Sequence, residues 1–181
     1  KRFKKEILEV HLDQKNIFDI LELTVDEAVA FFKKNKNEKI LEKIKTLQEV
    51  GLGNVTLGQS SSTLSGGEAQ RIKLATFLTK GASKDKGLFI FDEPTTGLHF
   101  HDVNKLLKSF QALIEKGHSV IVIEHNLDLI KSADYVIDMG PEGGNNGGYV
   151  VATGTPEEVA ANQKSLTGKY LKDKLKKSRF N

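Results

Sequence analysis

The chain has 181 residues, of which 38% are hydrophobic and 28% charged, and a net charge of +3. That length suits one domain or two small ones, with enough residues to bury a core, and the charge is too small to be a signature of nucleic-acid binding. With no cysteine, disulfides and thiolate metal sites are excluded within these residues, and no apolar run approaches the roughly 20 residues of a membrane helix.

In chain order, Lys1 to Leu23 is mixed and carries no clear period, and "KRFKKEILEV" contains no signal-peptide apolar region. A start at Lys1 rather than Met reads as a trimmed chain or one piece of a longer protein. "LTVDEAVAFFKKN" predicts a helix, with Thr24 and Glu27 as a capping box and Val25, Ala28, Val29 and Phe32 on one face. A second helix, about Glu38 to Val50, aligns Ile40, Leu41, Ile44 and Leu47. "GLGNVTLGQSSS" then breaks the pattern as a loop, or a short strand and loop.

From Thr63 the texture changes to helices alternating with buried strands. The expected order is a helix (about Gly67 to Lys80), strand "GLFIF", a helix (about Asp102 to Lys116), strand "SVIVIE", short helix "NLDLIKSA" and strand "YVIDM". Strands this apolar suit a parallel sheet covered on both faces, and the alternation implies an α/β layered fold. Asn146-Gly147 signals a hairpin turn. Thr155 and Pro156 open a last short helix. The basic tail "KYLKDKLKKSRFN" reads as a solvated helix end rather than a DNA site.

Three stretches carry chemistry. In "FIFDEPTTGLH" an apolar strand runs into Asp92 and Glu93, at the strand end where open α/β sheets bind ligands. Asp92 could hold magnesium, directly or through water, and Glu93 could orient and deprotonate an attacking water. Alternatively, Asp-Glu-Pro merely ends a strand. In "SVIVIEHNLDLI", His125 could hydrogen-bond a γ-phosphate or the attacking water; otherwise it caps the next helix. His11, His99, His101 and His118 lack metal-ligand spacing. In "TLSGGEAQRIKLA", Ser65 and Glu68 form a capping box at a helix start. The same start offers free N–H groups and a positive dipole end to an anion. Ser65 adds a hydroxyl, and Gly66 and Gly67 would let a phosphate approach the backbone.

The order and compact spacing of these stretches resemble the C-terminal half of an ATP-binding-cassette ATPase. "LSGGEAQR" resembles the signature motif, "FIFDEP" the Walker B strand, "TTGLH" the D-loop and "IVIEH" the switch-histidine strand. "VGLGNVTLGQSSSTLSGGEAQRIKLA", "DEPTTGLHFHDV", "VIEHNLDLIKSADYVIDMGPEGGNNGG" and "VATGTPEEVA" further resemble the second ATPase module of the excinuclease UvrA family, which recognises DNA damage in bacterial nucleotide excision repair. Lys1 to Val10 is similar to the segment just after that family's zinc module. A transporter's D-loop more usually reads Ser-Ala-Leu-Asp.

The resemblance implies a P-loop NTPase-like cassette fold, three-layered with a mostly parallel sheet. It implies residues 1–62 as a helical lead-in, 63–165 as the signature, Walker B and switch-histidine part, and 166–181 as a basic tail. No G-x-x-x-x-G-K-[ST] occurs in the chain. "GNVTLGQS", Gly53 to Ser60, has the glycine spacing but carries Gln59 in place of the lysine and follows a helix. The fold is therefore expected to lack its P-loop strand and to leave a gap or an exposed sheet edge. Cassette modules pair head to tail, so Ser65, Gly66, Gly67, Glu68 and Gln70 would face ATP held by the first module. Asp92 (magnesium), Glu93 and His125 (catalytic) would act on a nucleotide at a P-loop upstream.

The resemblance further implies ATP hydrolysis with magnesium in the full-length protein, coupled to recognition of damaged double-stranded DNA and loading of the excinuclease partner UvrB. It also implies zinc in the full-length protein but not here, a homodimer, a cytoplasmic location and no membrane. The isolated chain is expected to have little or no ATPase activity. Lysines and arginines near either end could add phosphate contacts. The alternatives are a transporter ATPase subunit and a non-catalytic module that only lends a signature face.

Overall fold

The computed structural model describes residues 3–79, 86–144 and 147–178. The chain divides into two compact units, Lys1–Ile123 and Glu124–Asn181.

The first unit begins with two short helices, α1 (Lys5–Leu8) and α2 (Ile17–Glu22), in the stretch where the sequence has no clear period. Helices α3 (Val25–Lys34) and α4 (Glu38–Glu49) follow. The capping box expected at α3 forms: Thr24 Oγ1 accepts the Glu27 N–H at 3.2 Å, and Glu27 Oε2 accepts the Thr24 N–H at 2.8 Å. Val25, Ala28, Phe31 and Phe32 pack with Leu41 and Ile44 in one core. Ile40 stays 38% exposed, because the buried arc of α4 centres on Leu41 and Ile44 and leaves Ile40 at its rim.

The glycine-rich segment after α4 is bound down to the preceding helices. Val55 and Gly53 carbonyls accept the Val25 and Asp26 N–H groups, at 2.9 and 3.0 Å. The Leu57 and Gly58 N–H groups donate to the Leu23 and Leu21 carbonyls, at 2.9 and 2.7 Å. A phosphate cradle needs converging free N–H groups. This loop turns two carbonyls to α3, and its Val55, Leu57, Gly58 and Gln59 N–H groups donate to backbone carbonyls.

A 3-10 turn at Ser61–Thr63 leads into α5 (Gly66–Thr79), then β1 (Leu88–Asp92), α6 (Phe100–Glu115) and β2 (Ser119–Ile123). Strands β1 and β2 are parallel, with Leu88 opposite Ser119 and Asp92 opposite Ile123. A parallel pair requires a crossover, and α6 supplies it. Leu74 and Ala75 of α5, Phe91 of β1, and Val103, Leu106, Phe110 and Leu113 of α6 are buried. The rings of Phe91 and Phe110 lie 4.8 Å apart.

The expectation of strands covered on both faces is not met. Leu88, Ile90, Ile121 and Ile123 are 59%, 63%, 50% and 55% exposed. Side chains alternate along a strand, so these four share one face. Among the described residues of this unit, α6 packs on the face that carries Phe91. Among the described residues, β1 and β2 pair only with each other.

The second unit comprises α7 (Leu127–Ile130), β3 (Val136–Gly140), β4 (Tyr149–Gly154), α8 (Pro156–Ala161) and α9 (Leu166–Ser178). Its sheet corrects a second expectation: among the described residues β3 pairs antiparallel with β4 and with no parallel strand, Val136 opposite Gly154 and Gly140 opposite Tyr149. Eight residues between the strands are too few for a crossover, so an antiparallel pairing is the one open to them. Asn146 of the expected turn lies outside the described residues, whereas Gly147 bridges to Glu142.

Thr155 caps α8 as expected: its Oγ1 accepts the Glu158 N–H at 3.3 Å, and Pro156 stands at the first turn. Helix α9 is not merely a solvated end. Leu171 is fully buried, and the Ser165 hydroxyl accepts the Gly168 N–H at the start of the helix, at 2.7 Å.

Candidate functional site

The start of α5 is built by local chemistry. Ser65 Oγ accepts the Glu68 N–H at 3.3 Å, and Glu68 Oε2 accepts the Ser65 N–H at 2.8 Å. Both halves of the box satisfy helix-end donors, and a carboxylate there suits the helix dipole. The two glycines differ. A Cβ at Gly66 would meet nothing within 4 Å, so this position is open. A Cβ at Gly67 would come within 2.9 Å of the Thr96 carbonyl oxygen and 3.0 Å of Arg71 Nη1. Gly67 is therefore required by the approach of the 94–96 loop, a reason the sequence did not disclose.

At the end of β1, Asp92 and Glu93 are both exposed. Among the described residues the Asp92 carboxylate accepts no hydrogen bond. Its backbone, by contrast, is fully engaged: Gln70 Nε2 donates to the Asp92 carbonyl at 2.7 Å, and Gln70 Oε1 accepts the Asp92 N–H at 3.1 Å. The chain then turns sharply. Glu93 has φ of 46°, in the left-handed region that a side chain with a Cβ rarely adopts. Its N–H donates to the Ile123 carbonyl at 2.9 Å, and its carbonyl accepts the Thr96 N–H at 3.1 Å. Pro94 is buried beneath the turn.

Arg71 is 1% exposed. Its Nη1 donates to the Pro94 carbonyl at 2.6 Å and to the Thr96 carbonyl at 3.2 Å. Among the described residues its Nε has no partner. Burial pushes the guanidinium below its usual value, while the charges of Glu68 and Asp102 oppose that fall; it stays protonated at neutral pH. Sequence reasoning assigned Arg71 no role. Arg71 shares the buried face of Gly67, Leu74 and Ala75, but Ile72, Phe77 and Leu78 spread apolar residues round the helix, so no stripe marks that face in the sequence.

His125 belongs to the second unit and is exposed. Its N–H and that of Asn126 both donate to Glu124 Oε2, at 3.0 and 3.1 Å. Asn126 Oδ1 accepts the Asp128 N–H at 2.9 Å, so Asn126 and not His125 caps α7. The bland alternative for His125, a helix cap, is thereby taken by its neighbour. The His118 ring faces Phe89 at 5.2 Å, and its Nδ1 accepts the Gly87 N–H at 3.0 Å, which is a packing role.

The structure thus brings Ser65, Gly66, Gly67, Glu68 and Gln70 together with Asp92 and Glu93 in the first unit, and holds His125 in the second. Among the described residues no three His, Asp or Glu side chains converge on one point. Magnesium does not demand such a cage: it is commonly held by one or two carboxylates, waters and substrate phosphates.

A family model described as "ABC transporter" matches residues 2–96. UvrABC system protein A of Staphylococcus aureus (strain COL) is 57% identical over 181 residues, all of this chain and 19% of that protein. Its counterpart from Clostridium perfringens (strain 13 / Type A) is 58% identical over 175 residues, 97% of this chain and 18% of that protein. The crystal structure of UvrA2 from Deinococcus radiodurans matches with a TM-score of 0.79 and 46% identity, over 95% of this chain and 21% of that one. The chain therefore spans about a fifth of the length of these curated relatives.

Proposed function

This chain belongs to the ABC family and has its α/β ATPase fold, and we propose that it is part of the second ATPase module of a longer nucleotide excision repair protein. In this reading residues 63–165 form the cassette part, 1–62 lead into it and 166–181 form a basic tail. One observation carries the proposal most: an open, capped helix start and an exposed carboxylate pair are built as one piece, within a chain that matches UvrABC system protein A throughout.

Each residue then has a task. Ser65, Gly66 and Glu68 present an anion-binding helix end to ATP held by the first module, with Gly67 keeping that end against the 94–96 loop. Asp92 offers magnesium its oxygens, directly or through water; the exposed carboxylate, free of hydrogen bonds among the described residues, fits that use. The ion would neutralise charge developing on the transferred phosphoryl group. Glu93 orients the attacking water and accepts its proton, and His125 hydrogen-bonds the γ-phosphate or that water. The lysine-bearing loop that cradles phosphates is supplied by residues outside this chain.

Further proposals concern the longer protein: recognition of damaged double-stranded DNA, loading of the excinuclease partner UvrB, zinc in a module outside this chain, a homodimer, and a cytoplasmic location. Among the described residues no helix is long and apolar enough to cross a membrane. The Thr-Gly-Leu-His run at Thr96 to His99 favours repair over transport.

The test uses the full-length protein. Glu93→Gln should abolish magnesium-dependent hydrolysis at the site built on Asp92. Replacing Ser65 and Gly66 should instead impair the site of the first module. If ATP hydrolysis at that first site is indifferent to Ser65 and Gly66, the signature reading is wrong. If the isolated chain turns over ATP in a way that Glu93→Gln removes, the expectation of an inactive fragment is wrong.

A further inference from the structure

Consecutive residues near the start of α5 reach across to the turn after β1. Gln70 meets both polar groups of Asp92 with one carboxamide, at 2.7 and 3.1 Å. In a parallel pair, the N–H and C=O of one residue point to the same side. Here both groups of Asp92 face Gln70, whereas the next N–H, that of Glu93, goes to Ile123 of β2. The Gln70 carboxamide thus stands where the peptide group of a neighbouring strand would stand. Arg71 adds the Pro94 and Thr96 carbonyls, at 2.6 and 3.2 Å. Gly67 permits this closeness, since a Cβ there would strike the Thr96 oxygen and Arg71 Nη1.

We propose that Gln70 and Arg71 are positioning residues that latch the Asp92–Thr96 turn to the start of α5, holding the two carboxylates in their working geometry. The proposal rests on the ATPase reading and deepens it. It also moves Gln70 from nucleotide contact to scaffold.

The physical need is clear from what the turn lacks. Asp92 and Glu93 are exposed, and the φ of 46° at Glu93 is sparsely populated. Such a conformation persists only when its surroundings over-determine it. Pinning residues 92, 94 and 96 from one helical turn does this. A displacement of about 1 Å at a reacting group can cost about 100-fold in rate. The latch also makes the helix start at Ser65–Gly66 and the carboxylates one rigid piece. In the proposed function those two faces address different nucleotides, so a shift of either would be felt by the other.

The test combines hydrogen exchange, read by mass spectrometry across residues 89–98, with steady-state ATPase kinetics, both in the full-length protein. Gln70→Ala should raise exchange in that segment about tenfold. It should lower kcat at the Asp92 site about tenfold, with KM within about twofold. Gln70→Glu sets a carboxylate oxygen against the Asp92 carbonyl, two acceptors with no proton between them, so it should loosen the turn at least as much as Gln70→Ala. Arg71→Lys keeps the charge without the planar fork and should behave like Gln70→Ala.

Unchanged exchange in Gln70→Ala would overturn the latch. Raised exchange with unchanged kcat would overturn its positioning role. A change confined to KM would return Gln70 to the nucleotide contacts. Glu93→Gln separates the two levels: if it leaves ATPase intact, the proposed function fails, while the exchange result still judges the latch.

Discussion

Asp92 and Asp138 both lie in five-residue strands with apolar neighbours, yet the structure holds them in opposite ways. At Asp92 the main chain is held by Gln70 and the carboxylate is left open. At Asp138 the carboxylate itself is consumed: it is buried and accepts the Ser165 hydroxyl at 2.6 Å and the Thr167 hydroxyl at 2.7 Å. A carboxylate that is to act needs a fixed backbone and a side chain free to meet a ligand. A carboxylate that is to hold a fold needs the reverse, because a buried charge is tolerated only when its lone pairs are satisfied. This contrast separates the acid proposed to act from the acid that holds the fold more sharply than either residue's position in sequence.

The largest expected effect tests the functional side. Glu93→Gln in the full-length protein should lower ATP turnover at its site by about 10²–10⁴-fold, the usual contribution of a general base. Thermal unfolding should move little, since the side chain is exposed. A loss of stability matching the loss of activity would mean that Glu93 also holds the fold.

On the structural side, Asp138→Ala strips the buried Ser165 hydroxyl and the half-buried Thr167 hydroxyl of their acceptor. Leaving such groups unsatisfied costs about 1–3 kcal/mol, and denaturant unfolding should register it. Asp92→Ala should cost at most about 0.5 kcal/mol in the same assay. Equal costs would mean that Asp92 also serves the fold.

The glycine pair sharpens the contrast at the start of α5. Gly67→Ala places a methyl against the Thr96 carbonyl and should destabilise by about 1–3 kcal/mol, an overpacking cost. Gly66→Ala meets nothing within 4 Å and should be neutral or slightly stabilising, by up to about 1 kcal/mol in a helix. If Gly66→Ala nonetheless impairs hydrolysis at the first module's site, the open position is reserved for a ligand. Unaltered hydrolysis there would remove Gly66 from the site.

The features legible in the sequence were the local ones. The boxes Thr24–Glu27 and Ser65–Glu68 and the Thr155 cap close within three residues, so spacing alone reveals them. The apolar runs of β1, β2 and β3 likewise mark strands. Partners distant in sequence were not legible. Gln70 and Arg71 reach their targets across 22 to 25 residues. Nothing near Gly67 announces that Thr96 will lie on top of it. Apolar content also misled: β1 and β2 read as buried on both faces because composition records what a face could bury, not what covers it. The pairing of β3 was set by the short 141–148 connection, a geometric limit that an apolar run does not display.

The smallest effect concerns Asp128, which has a role intermediate between those of the two acids. Its carboxylate is partly buried and accepts Lys131 Nζ and Lys174 Nζ, each at 2.8 Å, tying α7 to α9. Burial raises its pKa, but the hydrogen bonds and charges of the two lysines outweigh burial, and the net shift is downward. A carboxyl whose folded pKa lies below its unfolded value of about 3.9 stabilises the folded state above that value. The contribution fades as pH falls through the lower folded pKa. Because Lys174 is 39% exposed, solvent screening keeps the whole effect to about 1 kcal/mol or less. Asp128→Asn should therefore weaken the fold slightly at pH 7, with the difference from wild type vanishing in acid, when unfolding is followed from pH 7 to pH values below about 3. A difference that persists undiminished in acid would assign Asp128 to packing rather than charge, and would place it with neither Asp92 nor Asp138.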